Sequence, residues 1–355
     1  MNFIKTDRIH FHTFDSLRFL SFLLVFLHHS PIPSNSWLHY FSTEGGIGVS
    51  FFFVLSGFLI TYILLLEKIN HQGKIPLKKF FKRRILRIWP LYYAMVIFAM
   101  VTPFILDLLN LPHSDEGYQP NWFLTLTFLE NYKGMFEHQL PNVSPLTVIW
   151  SLCIEEHFYM VWGLVFYFIS LKNIPKLLAG CIVFSFIMQT VYEKYGINTA
   201  DLSTNIHYFA FGAIPAYLFV FRNDFIEKLG SIPAVYKYMY AVLVLAFIVT
   251  VANTTVIYDP RMVSLLLSIL FSGLILFTLS KRNAFKISDK SILAWLGKYT
   301  YGLYLFHTIC IMLFAKIGGF LGLNWMMIML LSFISSVLFS VLSYHFFEKQ
   351  FLKFK

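Results

Sequence analysis

Charge is scarce in this 355-residue sequence, where 13% of residues are Asp, Glu, Lys or Arg, about half the share of a soluble domain. So few charges cannot solvate the surface of a chain this long, which excludes a water-soluble globule. Cysteine is also rare, and Cys153, Cys181 and Cys310 all lie inside apolar runs, where a thiol behaves as a small hydrophobe. No disulfide framework and no metal site is expected from them. No internal repeat, low-complexity tract or linker of soluble length divides the chain, so residues 1–355 are expected to form one domain. Met1 to His12 are polar and lack the small-residue cleavage site of a secretory leader, so no targeting segment is expected.

Apolar surface is what the chain has in abundance: 57% of it is hydrophobic, 41 residues are Phe and the mean hydropathy is +0.66. A helix crossing the hydrocarbon core takes roughly 20 mostly apolar residues. Ten runs meet that need, at 14–31, 46–66, 88–107, 147–170, 176–193, 204–221, 236–253, 261–279, 296–316 and 325–347. The predicted fold is an all-α, polytopic transmembrane helical bundle of about ten spans in a lipid bilayer. Small residues in GGIGVSFFFVLSGFLIT, Gly45 to Thr61, suit close helix packing.

The net charge of +10 points either to nucleic acid or to membrane orientation. With the N-terminus inside, 23 of the 28 Lys and Arg residues fall in inner segments, eight of them from Lys68 to Arg87. Only Lys133, Lys194, Arg261 and Lys316 fall outside. Excess cations on one side are the signature of topology, so both termini are predicted to be cytoplasmic and no nucleic-acid partner is expected. The longest outer loop, Leu108 to Leu146, holds four prolines with Tyr118, Trp122 and Tyr132. It is either a plain connector or a dock for a non-lipid acceptor.

Ionisable groups inside a span are costly unless paired or hydrated, which makes each a functional candidate. In the first run, Arg18 and His29 are eleven residues apart, about 20° after three full helical turns, and Asp15 lies about 40° from His29. His28 is turned about 80° aside. One face therefore carries Asp15, Arg18 and His29, with His29 roughly 16 Å beyond Arg18. The bland reading is an interfacial Asp15–Arg18 pair and a histidine at the helix end. In the fourth run, Glu155 lies about 12 Å below the outer surface and His29 about 8 Å below it. A carboxylate at that depth would orient the imidazole and raise its basicity, as a general base acting on a hydroxyl requires.

Pro76 to Pro90 holds six cations between Lys78 and Arg87. It reads as an interfacial helix with Phe80, Phe81, Ile85 and Ile88 on its apolar side. Its cations suit the phosphates of a cytoplasmic donor, or an anchor on anionic lipid. Tyr301, Tyr304 and His307 step by three residues in the ninth run and would line a polar path, or simply pack.

Together these segments resemble the integral-membrane acyltransferase-3 family, whose members O-acylate sugars and related hydroxyl acceptors. The resemblance covers essentially the whole chain. Arg18 and His29 are similar to its Arg, ten residues, His motif, and Arg84 and Arg87 to its RxxR motif. WSLCIEEHFY is similar to WSLxxExxFY, with Glu155 at the motif glutamate, and GVSFFFVLSGFLIT, FGAIPAY, LGKYTYGLYLFH and SYHFFEKQFLKFK also match in order. Ser50 departs from the family, many of whose members carry Asp there. The resemblance implies an O-acyltransferase, in particular an O-acetyltransferase, of the bacterial inner membrane. Its implied donor is acetyl-CoA or another acyl-CoA, bound near Arg18, Arg84 and Arg87, with no permanently bound cofactor. The implied acceptor is an envelope glycan, lipid-linked sugar or small glycoside. His29, helped by Glu155, would deprotonate the acceptor hydroxyl or carry the acyl group itself. The esterase-like domain fused to some relatives is expected to be missing, so a separate extracytoplasmic transferase would complete transfer if one is needed. A transporter or flippase is the alternative, although no repeated halves are evident.

Overall fold

The computed structural model describes residues 9, 11, 13–43, 45–108, 110, 117–253, 259–280 and 285–355. Lys5, Arg8, Lys281 and Arg282 of the cation pattern, and part of the long outer loop, lie outside the described residues. The helices, in chain order, are α1 (Phe14–His29), α2 (Gly45–Asn70), α3 (Leu77–Leu108), α4 (Trp122–Leu126), α5 (Glu130–Glu137), α6 (Ile149–Phe168), α7 (Ile174–Lys194) and α8 (Leu202–Phe221). They continue as α9 (Asn223–Gly230), α10 (Ala234–Asn253), α11 (Pro260–Thr278), α12 (Ile292–Gly297), α13 (Thr300–Leu321), α14 (Trp325–Leu342), a π turn (Ser343–Glu348) and α15 (Lys349–Leu352). Among the described residues nine helical segments are long and apolar enough to cross a membrane, and the chain is a multi-pass membrane protein.

The first of the ten expected runs is the exception in length. α1 has 16 residues, about 24 Å at 1.5 Å per residue, short of the roughly 30 Å hydrocarbon core. It stops at His29 because Ser30 precedes Pro31 and takes extended backbone (φ −77°, ψ 147°), the conformation a following proline imposes.

The basic segment is not a separate interfacial helix. It forms the opening turns of α3, one continuous helix of 32 residues with Pro90 and Pro103 inside it. Phe80 and Ile88 are buried and Phe81 is half-buried, but Ile85 is exposed. Phe80 and Phe81 pack onto Gly163 of α6, where a Cβ would come within 2.9 Å of the Phe80 ring. Protein therefore receives the apolar side expected to meet lipid.

Glycine sets the closest approaches. A Cβ on Gly57 would collide with the Phe209 backbone of α8, and one on Gly212 with the Val54 backbone of α2, so these two helices meet main chain to main chain. Gly212→Val should therefore force α2 and α8 apart and destabilise the bundle by about 1–3 kcal/mol or more. Loss of the folded, monodisperse detergent-solubilised protein would report this, and a wild-type melting profile would refute it. Between α13 and α14, Ser332, Ser336 and Ser340 are fully buried and each donates its hydroxyl to the carbonyl four residues earlier.

Two of the inner cations close helix ends. Lys68 is buried and donates to the carbonyls of Phe166, at 2.6 Å, and Ile169, where the C-terminal end of α6 favours a cation. Lys237 is buried and donates to Gly230 at the end of α9. At the other end of the bundle residues 117–148, the continuously described part of the loop between α3 and α6, are folded. Tyr118 and Asn142 exchange backbone bonds with Leu140 and Tyr118. Buried Glu130 accepts from the Asn121 amide at 3.2 Å and the Thr125 hydroxyl at 2.9 Å. Burial raises the Tyr118 phenol above its ordinary pKa, helped by adjacent Glu130.

Candidate active site

Arg18 of α1, Arg84 and Arg87 of α3, Glu155 of α6 and Tyr301 and Tyr304 of α13 all line one cavity of about 120 Å³. That is well below the roughly 300–1,000 Å³ of ordinary ligand pockets, so this shaft between the helices is small. Arg18 reaches it from the first turns of α1, held by Asp15 through a 2.8 Å ion pair. A Cβ on Gly297 would collide with the Asp15 carbonyl, so glycine at this point lets α12 close against the start of α1. Lys298 beside it adds another cation to the lining.

Arg84 stands over the Tyr159 ring, 5.8 Å from its centroid, and its buried Nε has no hydrogen-bond partner. Its neighbour Arg83 faces the other way and pairs with Glu67 at 3.0 Å. The mouth is strongly positive: partial burial, and then the like charges of Arg87, Arg84 and Arg83, lower the Lys355 ammonium to about 8. Phosphates bind to such a cluster through charge-assisted bonds.

Glu155 belongs to this shaft. One of its carboxylate oxygens accepts from both Ser56 of α2 and Tyr159, one turn further along α6. The expected contact with His29 is not formed: no hydrogen bond joins the two. Glu156 points elsewhere, buried and accepting from the Trp89 indole at 3.2 Å.

His29 lies at the far end of α1. Its Nδ1 donates to the Val25 carbonyl at 2.9 Å, and because a carbonyl only accepts, the neutral ring keeps its lone pair on Nε2. The backbone, rather than a carboxylate, fixes the tautomer. His28 is exposed and bonded through Nδ1 to Ser42 O at 2.8 Å, whereas His29 is half-buried with its ring edge-on to His307 at 5.1 Å. His307 is fully buried, gives its Nδ1 proton to Tyr304 O at 2.7 Å and has an unpartnered Nε2.

The step of three along α13 joins the two regions. Tyr301 donates to Ile88 O at 2.6 Å, and the Tyr304 hydroxyl meets Ser151 of α6 at 2.6 Å. His307, the next step, faces His29. A line of polar side chains thus runs from the arginine shaft to the His29 imidazole.

Sequence reasoning missed Ser56, Ser151, Tyr159 and Lys298. Tyr159 had a local signal, since residues four apart share a helical face. Ser56 and Ser151 stand inside the quoted GVSFFFVLSGFLIT and WSLCIEEHFY segments, but small hydroxyl residues are common in packed membrane helices and the pattern alone gives them no role. Ser50 lines a separate cleft at the other end of α2, its hydroxyl spent on Gly46 O at 3.0 Å.

Residues 11–345 match the family model Acyl_transf_3, an acyltransferase domain. The chain is 29% identical over 312 residues to the peptidoglycan O-acetyltransferase OatA of Listeria monocytogenes, covering 82% of this chain and 48% of that protein. It is 27% identical over 365 residues to a putative O-acetyltransferase of Staphylococcus aureus, covering 96% and 57%. A putative peptidoglycan O-acetyltransferase of Bacillus subtilis is 27% identical over 363 residues, covering 94% and 54%. The chain therefore spans about half the length of the curated relatives it matches. No solved structure matches it.

Proposed function

Since the chain belongs to the Acyl_transf_3 family of acyltransferase domains, we propose that it is a membrane O-acetyltransferase moving the acetyl group of cytoplasmic acetyl-CoA to a hydroxyl of a cell-envelope glycan. The observation that carries this reading is the polar line from Arg18, Arg84 and Arg87 along Tyr301, Tyr304 and His307 to His29. Its arginine end suits the phosphates of a nucleotide-bearing donor. At about 120 Å³ the shaft is too small for a nucleotide, so the thin pantetheine arm and its thioester are the part of the donor that would enter it. Both termini and the opening of α3 lie on the cytoplasmic side in this reading, supported by the excess of cations there.

At the far end the free Nε2 of His29 takes the proton of the acceptor hydroxyl. The oxygen forms the ester bond as the thioester C–S bond breaks, and the resulting imidazolium returns the proton to the thiolate of CoA. Glu155 acts from inside the shaft: it fixes Ser56 and Tyr159, and through Tyr159 the position of Arg84. The Listeria monocytogenes relative is named a peptidoglycan O-acetyltransferase and the Bacillus subtilis one a putative peptidoglycan O-acetyltransferase, which makes that polymer the first acceptor to try.

Purified protein in detergent, given acetyl-CoA labelled in the acetyl group and soluble peptidoglycan fragments, should release CoA and form base-labile labelled ester in equal amounts. Absence of both products from folded protein, with peptidoglycan fragments and with other envelope glycans, would refute the assignment.

A further inference from the structure

An apolar groove of about 540 Å³ runs along α1, between it and α2, α10 and α11. Leu17, Leu20, Leu24 and Leu27 wall it on α1, and Val244 and Ile248 on α10. From Thr13 to Leu27 it follows the helix for about 21 Å at 1.5 Å per residue, more than the roughly 15 Å of hydrocarbon in one leaflet. Its hydroxyls offer little to water: Ser21 donates to Leu17 O at 3.0 Å, and Thr13 accepts from the Ile287 amide at 3.3 Å. A water molecule needs two to four polar partners to stay in such a space, so the groove is fitted for hydrocarbon. Leu20 and Leu245 at its edge are exposed, which in a bilayer opens it to lipid.

Charge is confined to one end. Lys286 is the single charged residue among the described lining residues, and it is exposed. Tyr238 lies at the same end, its ring edge-on to Phe285 at 5.1 Å. Leu27, Ile248 and Phe41 form the other, apolar end. A cation at the mouth of an apolar groove as long as an acyl chain is complementary to the phosphate of an anionic lipid.

The groove also backs the helix that carries Arg18 and His29. With Leu17 at zero and 100° per residue, Leu20, Leu24 and Leu27 stand at about 300°, 340° and 280°, whereas Arg18 and His29 stand at about 100° and 120°. The leucine stripe and the polar face are on opposite sides of α1. We infer that one acyl chain of an anionic phospholipid occupies the groove, with its phosphate beside Lys286, and that this chain braces α1. The inference holds whichever reaction the polar face serves.

The full chain, purified in detergent and freed of co-purified lipid, would be given equal amounts of phosphatidylglycerol and phosphatidylcholine and weighed intact by native mass spectrometry. One phosphatidylglycerol per chain should survive the collisional activation that strips phosphatidylcholine. Lys286→Gln should lower this preference about fivefold, the usual contribution of one basic residue toward anionic lipid. Ala241→Trp plugs the groove from α10 and should cut retention about tenfold. Ala241→Phe, a smaller plug, serves the same purpose if the tryptophan variant does not fold. In the wild type, amide hydrogen exchange of residues 14–29 should slow several-fold when phosphatidylglycerol is added. Equal retention of the two lipids, an unchanged preference in Lys286→Gln, full retention in a folded plugged variant, or α1 exchange indifferent to the lipid would each overturn the inference.

Discussion

His29→Ala should lower acetyl transfer by about 10²- to 10⁴-fold, the usual contribution of a positioned acid or base, while protein level and donor binding stay at wild-type values. The half-buried His29 holds its lone-pair nitrogen at the end of the polar line and its Nδ1 on Val25 O. The alanine variant loses the proton-accepting group and the edge-on ring contacts to His307 and His28, which is why the rate is normalised to folded protein. His28→Ala should cost little, because that ring is exposed with its Nδ1 on Ser42 O, and it meets the His29 ring only edge-on at 5.1 Å. Transfer rates of both variants, normalised to folded protein, decide the matter. Full activity in His29→Ala ends the mechanism, and a severe loss in His28→Ala alone moves the chemistry to the neighbouring ring.

Arg84→Ala should raise the KM for acetyl-CoA by about tenfold to a hundredfold, because one hydrogen bond to a charged group is worth about 1.5–3 kcal/mol and each 1.4 kcal/mol is a factor of ten. Arg84 is the arginine of the three whose buried Nε has no partner within the protein, which leaves that donor for the ligand. Arg84→Lys should rescue in part, supplying charge without the planar fork. Arg18→Ala should be similar in direction, and it also leaves Asp15 without its ion pair. Donor titration of the single variants and of Arg18→Ala/Arg84→Ala/Arg87→Ala measures this. A folded triple variant with wild-type donor affinity would reduce these arginines to topology signals.

The spans were legible in the sequence because crossing a bilayer leaves a run of about 20 apolar residues whatever else the helix does. The continuity of α3 was not, since cations from Lys78 to Arg87 look the same at the start of a span as on a helix lying flat. The common depth of Arg18, Arg84 and Arg87 was legible in the sequence, but their meeting in one cavity was not. Glu155 was placed beside His29 on depth as well. Counting residues gives a height in the membrane but no direction around the bundle axis, and Glu155 turns toward Ser56 and Tyr159 rather than toward His29. The roles of Lys68 and Lys237 as helix-end donors depend on which carbonyls tertiary packing brings near, and no local pattern records that.

A polar line through a membrane helix bundle is also a potential leak, and the tightness of the shaft bears on this. At about 120 Å³ and with Arg18, Arg84, Arg87 and Lys298 around it, it offers fixed positive charge to any hydronium or alkali ion entering from that side, the electrostatic barrier by which pores exclude cations. Tyr304, locked to Ser151, narrows it further toward the histidines. The resting protein should therefore let neither protons nor sodium run down their gradients, and a cell can keep many copies in its membrane without short-circuiting the potential that drives its other transport.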